Sequence, residues 1–370
     1  MSHNILITGG SGYLGGDLLA RLKTTNLPSY GKLFALVRTD EQAQKVKQHY
    51  GAEPLQFDAY DEAAVQRGVI DNDISVVFHL IDALNFTSQV FFIKALGEVK
   101  KRTGRDVHFL HVGSLSTGLE DPGQVAFQTD LLQTTGAKLF SSHAGAPTDQ
   151  PLYDSDTNLY KIQKGQKSHI PLVNVAVQTN NTVIEQSEAL GVNSYIFAPC
   201  IVYGESAGFG NAISIQTVAI VKAAKAARRV YRTDEGRPTW PVCHINDNTT
   251  LYIAILEAIL SGSSPDHGRN GYYLAASGSV AWDDLYDAFS ATLTKRGVVE
   301  DARVELADES AISKMAQGLG YPPELVAFAL GGKCTFVAKH GEKVGWKPEY
   351  PPEHILEDAE REVDVILANI

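Results

Sequence analysis

Gly9, Gly10, Gly12 and Gly15 crowd into one short stretch, with Ser11, Tyr13 and Leu14 between them. Ile5-Leu6-Ile7 precedes them as an unbroken apolar run, the pattern of a parallel strand covered on both faces. Asp17-Leu18-Leu19-Ala20-Arg21-Leu22 follows, with apolar residues at helical spacing. Strand, glycine turn and helix form the setting in which glycines hold a dinucleotide. Gly9 permits the tight turn, Gly12 lets a diphosphate approach the backbone, and Gly15 lets the helix pack closely on the strand. The helix N-terminus adds unpaired N–H groups and a partial positive charge. The competing reading is a glycine-rich turn that binds nothing.

Other residues with chemistry fall where further strands end. Arg38 closes the second strand and suits the extra phosphate of NADP as an always-charged, bidentate partner. An acidic residue there would instead take the ribose hydroxyls of NAD, and Asp40 and Glu41 stand just beyond. Asp58 ends the third strand, either beside an adenine amino group or as a turn residue. Leu80, Ile81 and Asp82 end the fourth strand, Val112 lies in the fifth and Pro199 ends the sixth. Ligands of such sheets bind outside the carboxyl ends of the strands, so all five join the predicted cofactor-binding set. Ser114, with Ser116 and Thr117 close behind, follows the fifth strand, where a hydroxyl can bond a substrate oxygen or its own backbone. His143, Tyr153 and Tyr160 are polar candidates further on. His79 and His111 sit inside apolar strands and read as packed core residues.

The elements that position these residues alternate. Strands are expected at 32–38, 54–58, 75–81, 107–114 and 193–199, with helices at 39–50, 61–67, 87–102 and 175–190. Short connections between alternating strands and helices imply a doubly wound α/β parallel sheet of Rossmann type, because parallel strands need crossovers. The stretch 116–171, rich in Gly and Pro, reads as a long insertion over one end of the sheet. Beyond Pro199 the pattern becomes mixed, with strands at 241–245 and 271–276. Helices there are expected at 213–229, 248–260, 283–296, 308–319 and 353–368. The expected domains are a nucleotide-binding unit of 1–200 plus about 244–276, and a smaller mixed lobe of about 201–243 plus 277–370. Lys225, Arg228, Arg229 and Arg232 could meet a phosphate there, or simply complement a helix end.

A net charge of −11 argues against nucleic acid or an anionic membrane as a partner. Cys200, Cys243 and Cys334 match no zinc spacing, and an odd number argues against a disulfide framework, so no metal and a reducing interior are expected. The first strand starts too early to leave room for a signal peptide, and no run approaches the ~18 apolar residues of a membrane helix. The expectation is a cytoplasmic protein with a small-molecule substrate, able to form a homodimer.

The chain resembles the extended short-chain dehydrogenase/reductases, the group with nucleotide-sugar epimerases and dehydratases. Thr8-Gly9-Gly10-Ser11-Gly12-Tyr13-Leu14-Gly15 is similar to the family's glycine motif, and Val76-Val77-Phe78-His79-Leu80 to its fourth strand. Pro199-Cys200-Ile201-Val202-Tyr203-Gly204 is similar to the segment after its sixth strand, with Ala198 in place of the usual arginine. Cys243-His244-Ile245-Asn246-Asp247 is similar to its later His-x-x-Asp stretch. The resemblance implies a catalytic serine or threonine at Ser114 or Ser116, and a Tyr-x-x-x-Lys pair on the helix before the sixth strand. There the chain departs from the family. Val177 and Asn181 occupy those places, and the only nearby Tyr-x-x-x-Lys, Tyr160 and Lys164, lies upstream of Pro171.

Three functions remain open on these residues. The first is an NADP(H)-dependent oxidoreductase on a small carbonyl or alcohol, with NAD(H) the lesser cofactor and a non-standard proton donor such as Tyr160. The second is a non-redox lyase, isomerase or cyclase in which the nucleotide is structural. The third is a nucleotide-sensing binding protein.

Overall fold

The computed structural model describes residues 2–112 and 136–370. In chain order its strands are β1 (Asn4–Thr8), β2 (Leu33–Leu36), β3 (Glu53–Leu55), β4 (Ile74–His79), β5 (His108–Val112), β6 (Leu152–Tyr153), β7 (Asn193–Pro199), β8 (Ile201–Tyr203), β9 (Tyr231–Arg232), β10 (Thr239–His244), β11 (Tyr272–Ala275), β12 (Gly278–Ala281), β13 (Glu305–Leu306) and β14 (Phe336–Val337). Seven of them form an all-parallel sheet in the order β11-β7-β5-β4-β1-β2-β3. β4 and β5 are buried along their whole length, as unbroken apolar runs covered on both faces must be. The chain runs outward from β1 through β2 to β3, then returns to β4 and runs the other way. The switch point therefore lies between β1 and β4.

Six helices matter for the site: α1 (Tyr13–Leu22), α2 (Asp40–Lys45), α3 (Glu62–Ile70), α4 (Thr87–Thr103), α5 (Leu159–Gly165) and α6 (Pro171–Leu190). The Thr39 hydroxyl caps α2 and the Asp61 carboxylate caps α3. A π-helical turn, Val46–Tyr50, extends α2. α6 starts at Pro171 rather than at Val175. A proline in the first turn loses no hydrogen bond and presets the helical φ, so here it opens the helix instead of barring it.

The described part of the expected insertion, 136–170, is a tie rather than a loop lying over the sheet. Leu139 and Phe140 are buried, and Phe140 stacks on Phe336 with centroids 4.1 Å apart. β6 pairs with β14, and the buried Asp154 carboxylate accepts from the backbone N–H groups of Lys339, His340 and Leu274. Buried carboxylates make similar ties elsewhere. Asp247 accepts from Glu349 and Tyr350 N–H, and Glu362 from Gly204 N–H and the Thr217 hydroxyl. A smaller three-stranded sheet, β12-β10-β8, stands beside the main one.

Candidate nucleotide and substrate site

The glycine turn is built by close backbone approach. Gly9 has φ +70°, and a Cβ there would lie 3.0 Å from the Leu80 carbonyl oxygen, so both conformation and space demand glycine. A Cβ on Gly15 would lie 2.4 Å from the Gly9 carbonyl oxygen, so α1 can start only if this residue has no side chain. Gly12 N–H donates to Gly9 O at 2.9 Å and closes the turn. Gly12 is also the N-cap of α1 and offers no side-chain cap, so first-turn N–H groups of the helix keep no intrahelical acceptor. Thr8 Oγ1 accepts from Leu80 N–H at 2.8 Å and fastens the end of β1 to the end of β4.

Among the other predicted cofactor residues, Leu14 is buried and Ser11 is half-buried. The Tyr13 phenol is buried and donates to Gly204 O at 2.6 Å, so its side chain is structural and only its backbone can serve a ligand. Leu80 is buried, and Ile81 Cγ2 would lie 3.5 Å from a Cβ on Gly9. Arg38 is exposed, and its guanidinium has no partner among the described residues. Its two acidic neighbours are occupied: Asp40 accepts from Gln56 Nε2 at 3.1 Å, and Glu41 pairs with Lys45 at 2.7 Å. Gln42 joins the two ends, since its Oε1 accepts from Arg38 N–H at 2.9 Å and its Nε2 donates to Ser11 Oγ at 3.4 Å. Sequence reasoning missed Gln42, although its place three residues into a capped helix beside Arg38 was the available signal.

Asp58 is exposed and accepts from Tyr60 N–H at 2.9 Å, the turn-residue role, with its second oxygen free among the described residues. Asp82 takes φ +49°, uncommon for a residue with a side chain. Asn211 N–H donates to Ser11 O at 3.1 Å, so the chain after β8 runs against the outside of the glycine turn.

On the other side of the switch point, Val112 is buried at the end of β5. Ser114, Ser116 and Thr117 lie outside the described residues. Pro199 is covered, with its carbonyl oxygen 2.0 Å from where a Cβ on Gly136 would stand. On α6, Val177 is 6% exposed, and the Asn181 Oδ1 is buried without a partner among the described residues.

Tyr160 is not brought to this edge. It lies on α5, where its phenol donates to Glu185 Oε1 at 2.5 Å. Lys164 Nζ reaches the same oxygen at 2.5 Å, and the Arg269 guanidinium lies 5.0 Å over the tyrosine ring. Glu185 is in the last turns of α6 and Arg269 just precedes β11, so the group sits toward the amino ends of the strands. Burial and the Glu185 carboxylate raise the phenol's pKa, the reverse of what a proton-transferring tyrosine needs.

Tyr153 is exposed, and His143 bonds the Gly331 carbonyl at 2.9 Å. His79 and His111 are fully buried side by side on β4 and β5, their rings 6.1 Å apart, with His111 held down to about 4 by burial. Lys138, unremarked in the sequence, is buried between the Trp240 and Phe328 rings and bonds the Phe328 carbonyl. Burial lowers its pKa to about 7. Arg229, a candidate phosphate contact, is taken by Asp301 and Glu305. Among the described residues no group of three or more His, Cys, Asp or Glu is placed to hold a metal.

No protein-family model matches the chain, and no curated protein matches it in sequence. Solved structures match it in fold. A UDP-glucose 4-epimerase from Thermotoga maritima, with UDP-glucose, superposes with a TM-score of 0.60 at 12% identity over 99% of both chains. A dTDP-glucose 4,6-dehydratase from Bacillus anthracis, in complex with NAD, gives 0.59 at 12% identity over 100% of this chain and 97% of the other. A partial-consensus L-threonine 3-dehydrogenase gives 0.55 at 16% identity over 98% and 99%. The chain thus has the Rossmann-type fold of the extended short-chain dehydrogenase/reductases along essentially its whole length.

Proposed function

We propose that this chain is an NADP(H)-binding enzyme that oxidises or reduces a small carbonyl or alcohol, with a proton donor other than a Tyr-x-x-x-Lys pair. The observation that carries this is the glycine turn: Gly9 and Gly15 let β1 turn tightly against Leu80 and the start of α1, and Gly12 leaves the helix N-terminus without a side-chain cap. Structural neighbours described in complex with NAD support a nicotinamide dinucleotide there. The unpartnered Arg38, with Asp40 and Glu41 both engaged elsewhere, favours the phosphorylated form. When bound, the cofactor would supply hydride chemistry. The chain's own part is to hold the diphosphate at α1 and the adenosine phosphate at Arg38.

One observation favours a second reading, a non-redox lyase, isomerase or cyclase with a structural nucleotide. On α6 neither Val177 nor Asn181 can carry a proton. Turnover of a carbonyl panel with NADPH deuterated at the transferable position separates the two. Label in the product supports the oxidoreductase, product with the label still on the nucleotide supports the second reading, and binding without turnover supports a sensor.

A further inference from the structure

The loops after β3 and β4 touch, although the sheet keeps those strands apart. β1 and β2 lie between them, and at about 4.8 Å per strand β3 and β4 are about 14 Å from each other. Yet Tyr60 Oη donates to Asp82 Oδ2 at 2.6 Å. The chain after β3 has therefore crossed back over the ends of β2 and β1, the ground between Arg38 and the glycine turn. Tyr60 also fixes the near side, since its N–H donates to Asp58 Oδ1 at 2.9 Å.

The far side is strained and heavily held. Asp82 keeps φ +49° while its Oδ1 accepts from Leu84 N–H at 2.8 Å and Asn85 N–H at 3.0 Å, and its carbonyl accepts from Gln89 Nε2 at 2.6 Å. Such a conformation persists only where its surroundings over-determine it, as they do at active sites and ligand clamps. Tyr60 itself is 44% exposed, and its ring meets no aromatic ring or cation among the described residues, so the hydroxyl is the part the fold uses.

We infer that Tyr60 is a positioning residue for the base of the bound nucleotide: by bridging Asp58 and Asp82 it forms the outer wall of the base crevice and aims the free Asp58 oxygen at an exocyclic amine. This rests on nucleotide binding at the glycine turn. The ligand part concerned is an aminopurine, and the bridge must part or flex for that base to enter and leave.

Release kinetics and base discrimination test it. AMP, nicotinamide mononucleotide, the full dinucleotide and its hypoxanthine analogue are bound to wild type, Tyr60→Phe and Asp82→Asn. Losing one hydrogen bond of about 1 kcal/mol should speed release of AMP and dinucleotide roughly five-fold in Tyr60→Phe. The preference for adenine over hypoxanthine should shrink, and nicotinamide mononucleotide should bind as before. Asp82→Asn keeps the acceptor for Leu84 and Asn85 and should behave alike, with no further effect in the double variant. Unchanged release and discrimination in Tyr60→Phe would overturn the inference while nucleotide binding stands. A wild type that binds no adenine nucleotide removes both.

Discussion

The carboxyl edge of the sheet is not built alike on the two sides of its switch point. From β1 to β3 the edge is backbone and unspent polar groups: a glycine cradle, an uncapped helix, a free guanidinium and a free carboxylate oxygen. From β4 through β5 to β7 and α6 the described polar side chains in the strands lie inside: His79 and His111 are buried, and on α6 Val177 is apolar and the Asn181 oxygen has no partner among the described residues. First-turn N–H groups without an intrahelical acceptor and an exposed guanidinium are the groups the proposed anion site would use. A half that buries its histidines neutral has put them into packing. On the proposed reading, the cofactor side stays intact while α6 carries no proton-transferring group at Val177 or Asn181.

The severest break in the comparison is Gly12→Val. A branched side chain at the N-cap of α1 fills the place where a diphosphate must approach, so NADPH affinity should fall by roughly 100-fold or more while circular dichroism keeps its wild-type form. Calorimetric titration checks it. Retained binding would put the phosphate site elsewhere and erase the distinction between the halves.

The second effect is on acid stability. Burial holds His111 at about 4 and His108 at about 3, below the ordinary 6.5, so both are neutral in the folded protein. Their unfolded forms bind protons first. Stability is therefore fully present above pH 6.5 and is lost as the pH falls through 4. β1, β2 and β3 hold no histidine, so hydrogen exchange near pH 5 should open β5 before β1. Neither ring nitrogen of His111 has a partner among the described residues, and His111→Leu should raise stability near pH 5 by on the order of 2 kcal/mol and less at neutral pH. Equal protection of β1 and β5 in acid would break the contrast.

Third comes Arg38→Ala, which should cut the preference for NADPH over NADH about ten-fold, because a charge-assisted contact to one phosphate is lost while the diphosphate cradle remains. Equal affinities for the two cofactors in wild type would contradict the assignment.

What the residues disclosed in advance follows the same division. The glycine turn and the parallel strands were legible because each depends on a few consecutive residues: a φ near +70° and an apolar run. The tie made by 136–170 was not, since Phe140 and Asp154 find their partners nearly two hundred residues away, at Phe336 and Lys339. The Tyr60–Asp82 bridge was hidden for a like reason, as it exists only because one loop crosses two strand ends. Tyr160 and Lys164 misled because a motif's spacing says nothing of which helix carries it, and here both serve Glu185.

The smallest expected effect sharpens the comparison most. By the sequence resemblance, Asn181 falls where a family lysine would hold the nicotinamide ribose, so a surviving catalytic role should fail on truncation. Its Oδ1 is buried with no partner among the described residues. An unsatisfied buried carbonyl costs about 1–3 kcal/mol, and removing it relieves that cost against whatever the amide nitrogen and the packing contribute. Asn181→Ala should therefore leave NADPH affinity and turnover within about two-fold and shift stability little in either direction. Thermal unfolding with and without NADPH reads stability and affinity in one protein, and the turnover assay reads the third. If Asn181→Ala instead abolishes turnover or the stabilisation by NADPH, α6 takes part in cofactor or substrate handling through its amide, and the two halves of the edge are one site.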